Sequence, residues 1–178
     1  MKKNIAIVAV FLLSLALLAA AQQDKSQRPS PPANAECKFP DGKTIKVDYS
    51  SPRMRGRKIF GGLEPYGKVW RTGANEATSF VTDADLTVSG KEVPAGSYTL
   101  FTIPNPDKWT LIINKKTGEW GIPYKYEADE LARVDMQVSK TPAPVENFTI
   151  GFDQMGDACN LRLDWENTRS TVEFAEKK

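Results

Sequence analysis

ECKFPDGKTIKVDY, running from Glu36 to Tyr49, sets the fold class. Its second half puts Ile45, Val47 and Tyr49 on one side and Lys46 and Asp48 on the other. A two-residue period of this kind belongs to a strand with one buried face. Asp41-Gly42 is a dipeptide favoured in tight hairpin turns, so Lys43–Tyr49 is predicted to fold back antiparallel on Glu36–Phe39.

The same pattern recurs along the chain. Ala77–Thr82, Leu86–Ser89 and Ser97–Ile103 read as strands, with Pro94-Ala95-Gly96 turning into the third. Trp109–Asn114 follows the turn Pro104-Asn105-Pro106-Asp107. Arg133–Ser139, Asn147–Asp153, Cys159–Trp165 and Ser170–Phe174 complete the set. Tyr126–Ala132 alone looks helical, for two turns at most. Many short strands with frequent turns predict an all-β fold: a single antiparallel β-sandwich, jelly-roll-like or barrel-like, over residues 35–176.

Upstream of the strands, Lys2 and Lys3 precede an apolar run from Ile5 to Leu18, and Ala19-Ala20-Ala21 supplies small residues. That is the form of a signal peptide over residues 1–21, cleaved near Gln22, and it is shorter than a spanning helix requires. No stable membrane anchor is expected after cleavage, and the location expected is periplasmic or secreted. Residues 22–34, QQDKSQRPSPPAN, are polar and proline-rich and read as a disordered linker. Without the signal, the 178 residues become 157, and the 24 basic residues become 22 against 22 acidic ones. A chain near neutrality has no electrostatic footprint for nucleic acid.

Cys37 and Cys159 are the two cysteines. Each shares strand parity with apolar neighbours, Phe39 in one case and Leu161, Leu163 and Trp165 in the other. Both sulfurs are therefore predicted to point toward the core. An exported protein favours a disulfide between them, with two free buried thiols as the alternative.

The chain contains no histidine. Ser-His-Asp hydrolysis, Cys-His proteolysis and histidine-bound metals fall away together. What remains for catalysis is a carboxylate pair, a Ser-Lys dyad or arginine-based anion handling. Asp83/Asp85 and Asp153/Asp157 lack the spacing of a calcium loop and read as turn residues. Asn147-Phe148-Thr149 has the form of a glycosylation acceptor but falls within a predicted strand. No metal and no cofactor is expected.

The densest chemistry lies in GRKIFGGLEPYGKVWRTGANEAT, Gly56–Thr78. Six basic residues stand between Arg53 and Arg71 against one acid, Glu64. If that segment is extended, Arg53, Arg55 and Arg57 project to one face and suit an anionic group. Arg57, Lys58, Tyr66, Trp70, Arg71, Asn75 and Glu76, with Trp120 from a second loop, are the candidate ligand-binding residues. Aromatic faces beside converging polar groups resemble a pocket rim. The competing reading is structural: Trp70 in the core, Arg71 tied to Glu76, and the charges guarding a sheet edge.

This stretch, with VPAGSYTLFTIP (Val93–Pro104), WTLIINKKTGEWG (Trp109–Gly121), PVENFTIGFD (Pro144–Asp153) and LDWENTR (Leu163–Arg169), resembles domain-of-unknown-function family 2911 of exported bacterial proteins. The resemblance implies export and a β-rich domain and carries no activity with it. The function expected from the residues is non-catalytic binding of an unknown small or polymeric ligand, sugar-like or anionic. The alternatives are a glycosidase-like hydrolase using Glu76 with Asp48 or Asp164, and a structural envelope protein without ligand. Oligomeric state is not legible.

Overall fold

The computed structural model describes residues 24–178. The predicted signal peptide lies outside the described residues. Among the described residues nine strands form: β1 (Pro32–Lys38), β2 (Thr44–Ser50), β3 (Thr78–Thr82), β4 (Leu86–Val88), β5 (Lys91–Val93), β6 (Gly96–Ile103), β7 (Lys108–Asn114), β8 (Glu130–Met155) and β9 (Ala158–Glu176). They make one antiparallel sheet in the order β1-β2-β3-β6-β7-β8-β9-β4-β5. The sheet has two edges and stays open rather than closing as a barrel.

The opening hairpin forms as its sequence dictates. Gly42 takes φ +97°, and the Phe39 and Lys43 backbones bond across the turn at 2.8 Å. Cys37 then lies opposite Ile45, and Val47 opposite Ala35. Ile45 and Val47 are fully buried.

Three expectations need correction. Residues 126–132 are not helical: a 3₁₀ turn covers Glu127–Asp129, and β8 begins at Glu130. Pairing of Ala132 with Ile113 of β7 buries that segment in the sheet, overriding its local helical preference. Arg133–Ser139 and Asn147–Asp153 are one strand, as are Cys159–Trp165 and Ser170–Phe174. The ladder between β8 and β9 shifts register around Val145, so Pro142 and Pro144 fall at an irregularity where strand prolines are tolerated. Finally, residues 24–34 of the expected linker are placed on the domain. Pro32–Asn34 belong to β1, and the Ser51 N–H donates to the Pro31 carbonyl at 2.9 Å. Strand β5 escaped the sequence reading; Ser89-Gly90, both with positive φ, turns β4 into it.

The sheet is sandwich-like because its ends turn over one core. β1 lies against β8, a strand five places away in the order. Just beyond β2, Arg53 bridges Asn147 in mid-β8, and the Ser51 hydroxyl donates to the Phe148 carbonyl at 2.6 Å. The predicted disulfide forms between Cys37 of β1 and Cys159 of β9, with Cα atoms 6.2 Å apart. Trp70, Phe60, Trp109, Phe148 and Trp165 pack together at the centre. Phe60 and Trp109 centroids are 4.7 Å apart, and those of Trp70 and Phe148 4.8 Å. Among the described residues no helix is long and apolar enough to cross a membrane.

Candidate functional site

The 27 residues between β2 and β3 (residues 51–77) divide into two parts. The first is a set of turns and not the extended segment that an anion-binding row of arginines would need. Arg55 has φ +51°, and the Arg57 N–H closes a turn onto the Met54 carbonyl at 3.1 Å. The guanidiniums then serve the chain's own oxygens. Arg57 donates to the carbonyls of Met54 (2.9 Å) and Arg53 (2.7 Å). Arg53 donates to the Ser51 hydroxyl at 2.9 Å, and Arg55 to the Pro29 carbonyl at 3.3 Å. Lys58 is exposed, and its carbonyl accepts the Leu63 N–H.

Tyr66 lies over Gly61, where φ is +76° and a side chain would meet the Tyr66 ring at 2.6 Å. The turn thus needs glycine both for conformation and for space. Glu64, between these two residues, is largely but not wholly removed from water. Burial pushes its carboxyl up to about 7, against the opposing pull of Arg71 and Arg57.

Trp70 is the hinge between the two parts, and it is core. It is 3% exposed, stacks on Trp165 with centroids 5.8 Å apart, and donates its indole N–H to the Gly73 carbonyl at 3.0 Å. A buried tryptophan with its N–H satisfied offers no face to a ligand.

The second part, Arg71–Glu76, faces outward. Arg71 donates to the carbonyls of Asn75 and Trp120, and its guanidinium carbon lies 5.2 Å from the centre of the Trp120 ring. That contact fixes Trp120, which is 55% exposed. Arg71 is not tied to Glu76. Burial lowers its value from the ordinary one, while the Glu64 charge supports it. Asn75, at φ +58°, donates from Nδ2 to the Ser30 carbonyl at 3.0 Å. Glu76 accepts Arg28 through both oxygens, at 3.0 and 2.8 Å, with Lys25 at 3.3 Å. Its carboxyl is held below the ordinary range by its own backbone N–H, then by Arg28 and Lys25.

Glu76 opens onto a cleft of about 300 Å³. Asp48 on β2, Ser79 on β3, Tyr98 on β6 and Glu119 in the loop after β7 line it, with Lys25 the one cation on its wall among the described residues. Trp120 itself does not line the cleft; Glu119, which precedes it, does, and Gly121 after it lies against the cleft residue Ala77. A side chain on Gly121, φ +91°, would stand 2.9 Å from the Ala77 Cβ. The Ala77 N–H donates to the Glu119 carbonyl at 3.0 Å, closing the cleft wall. Among the described residues no three carboxylate, cysteine or histidine side chains converge on a metal position.

Of the eight sequence candidates, the fold therefore brings Arg71, Asn75, Glu76 and Trp120 to one end of the domain. Arg57, Lys58 and Tyr66 sit on the preceding turns, and Trp70 goes inside. Asp164, considered as a partner for Glu76, is bonded through both oxygens to Arg169 at 2.7 Å on β9 and takes no part in the cleft. Sequence reasoning missed Lys25, Arg28 and Glu119. The turn Lys116-Thr117-Gly118-Glu119 beside an aromatic carried a hint of the last; the proline-rich segment gave none of the first two.

A family model described as "Protein of unknown function (DUF2911)" matches residues 30–174. No curated protein matches the chain, and no solved structure does.

Proposed function

The chain belongs to the DUF2911 family, and we propose that it is an exported, non-catalytic module that binds a sugar-like ligand in the cleft between Glu76 and Glu119. One observation carries this reading: a small cleft is lined by three carboxylates, and the chain neighbour of one of them, Glu119, is an exposed tryptophan that the Arg71 guanidinium holds in place. Sugars present an apolar ring face and a rim of hydroxyl donors, which such a pairing of aromatic and carboxylate suits. The anionic alternative loses ground because the guanidiniums of the basic stretch are engaged with the chain's own oxygens. A glycosidase needs one carboxylic acid kept protonated near neutral pH. Glu76, drawn below the ordinary range, is poorly suited to that role. Export is supported by the signal-like N-terminus and by the disulfide, a bond of oxidising compartments.

The test is a panel of neutral and charged oligosaccharides, read by thermal shift and tryptophan fluorescence. Binding to the native state raises the melting temperature, and a ligand on Trp120 changes its emission. Trp120→Ala is expected to abolish both responses. No response to any sugar at millimolar concentration would hand the domain to a purely structural role.

A further inference from the structure

We infer that the ligand of this cleft is a cationic amino sugar, whose ammonium group takes over Glu76 from the chain's own Lys25 and Arg28. The inference rests on the sugar-binding reading above and names its chemical class. Asp48, Glu76 and Glu119 line the cleft, and the cation on its wall among the described residues, Lys25, comes from the N-terminal segment and not from the sheet. Glu76 thus already serves as a cation receptor, with its occupant supplied in cis by Lys25 at 3.3 Å and Arg28 at 2.8 Å.

That occupant is loosely fastened. The 3₁₀ turn at Lys25–Gln27 contributes no buried residue, and the segment holds on by polar contacts: Arg28 to Glu76, the Pro29 carbonyl to Arg55, the Ser30 carbonyl to Asn75 and the Pro31 carbonyl to Ser51. Lys25 is 61% exposed along its side chain and its ion pair adds little stability; Arg28, 25% exposed and bonded to both Glu76 oxygens, is the firmer contact that a ligand must replace. A ligand can therefore displace residues 24–28 without disturbing β1, whose pairing with β2 starts at Pro32. A neutral ligand that displaced them would leave Glu76 without its two cations in a cleft that Asp48 and Glu119 also line, where Lys116 stays 3.9 Å from Glu119. An ammonium group restores the charge at Glu76, and the rest of an oligosaccharide can extend past Glu119 toward Trp120, the next residue in the chain.

The experiment is calorimetric titration of the full chain with a glucosamine tetramer, its N-acetylated form and cellotetraose. The glucosamine tetramer is expected to bind about ten-fold more tightly than the other two, as one charge-assisted hydrogen bond allows. The advantage should shrink between about 20 and about 500 mM salt. Glu76→Gln should erase the preference, with its fold checked by melting temperature. Arg28→Ala should tighten glucosamine binding several-fold, because the competing occupant is gone. Equal affinity for the free and acetylated amines, a preference that survives Glu76→Gln, or no gain from Arg28→Ala would overturn the inference and leave sugar binding intact. If none of the three sugars binds, the sugar reading itself fails.

Discussion

Glu64 and Glu76 stand twelve residues apart in one loop and have opposite environments. Glu64 belongs to the part of the loop that folds inward with Ile59, Phe60 and Trp70; burial raises its carboxyl. Glu76 belongs to the outward part; hydrogen bonds from its own backbone and from two cations lower its carboxyl. The contrast teaches how one connection between two strands can do two jobs. Its first part plugs the sandwich, and its second part furnishes a surface. Trp70 separates them because a tryptophan pinned among four aromatic rings cannot be moved without moving the backbone on either side.

Four changes would break or sharpen this contrast. The largest effect is expected from Trp70→Ala, at about 3–5 kcal/mol of stability, the cost of emptying a large core side chain. Denaturant unfolding measures it, and a loss under about 1 kcal/mol would mean the inward part is no plug.

Arg71→Ala is expected to cost about 1–3 kcal/mol, because the Asn75 and Trp120 carbonyls lose their donor in a half-buried place. Trp120 should also gain mobility, visible as lower fluorescence anisotropy.

The pH dependence of the two glutamates should have opposite signs. Glu64 binds its proton more tightly folded than unfolded, so stability falls as pH rises from about 4.5 to about 7. Glu64→Gln should remove about 1–2 kcal/mol of that fall, allowing for the part of the side chain still in water. Melting temperatures of both proteins across this range decide it; parallel curves would place Glu64 in water.

Glu76 works the other way, its contribution being present above the ordinary carboxylate range and lost as pH drops through its lowered value. Its partners are largely exposed, so Glu76→Gln should change stability by about 1 kcal/mol or less. A larger loss would make the outward part as structural as the inward one.

How far each part could be read in advance follows from the same physics. The strands of the opening hairpin are legible because a two-residue period and an Asp-Gly turn are local properties. Cys37 and Cys159 could be aimed at the core by parity with their neighbours, and the fold then brought them together. Glu130–Ala132 misled because a short stretch of good helix formers yields to pairing with β7. Pro142 and Pro144 hid the continuity of β8 for a related reason, since the long hairpin carries its irregularity only in three dimensions.

The candidate site divides along the same line. Residue chemistry alone nominated Arg71, Asn75, Glu76 and Trp120; the fold joins the first two to Trp120 through Arg71, and Glu76 to Arg28 and Lys25. Nothing in the order of residues could tell that Trp70 turns inward while Trp120 stays out, or that Arg57 spends its donors on Met54 and Arg53. Nor could it tell that Glu76 meets Arg28, 48 residues away, and not Arg71, five residues away. By itself the sequence determined the fold class, the turns and the chemistry available, because those depend on near neighbours along the chain. Which side chains remain free for a ligand was decided only by tertiary structure, because a donor or an aromatic face is used up by whatever atom lies nearest in space.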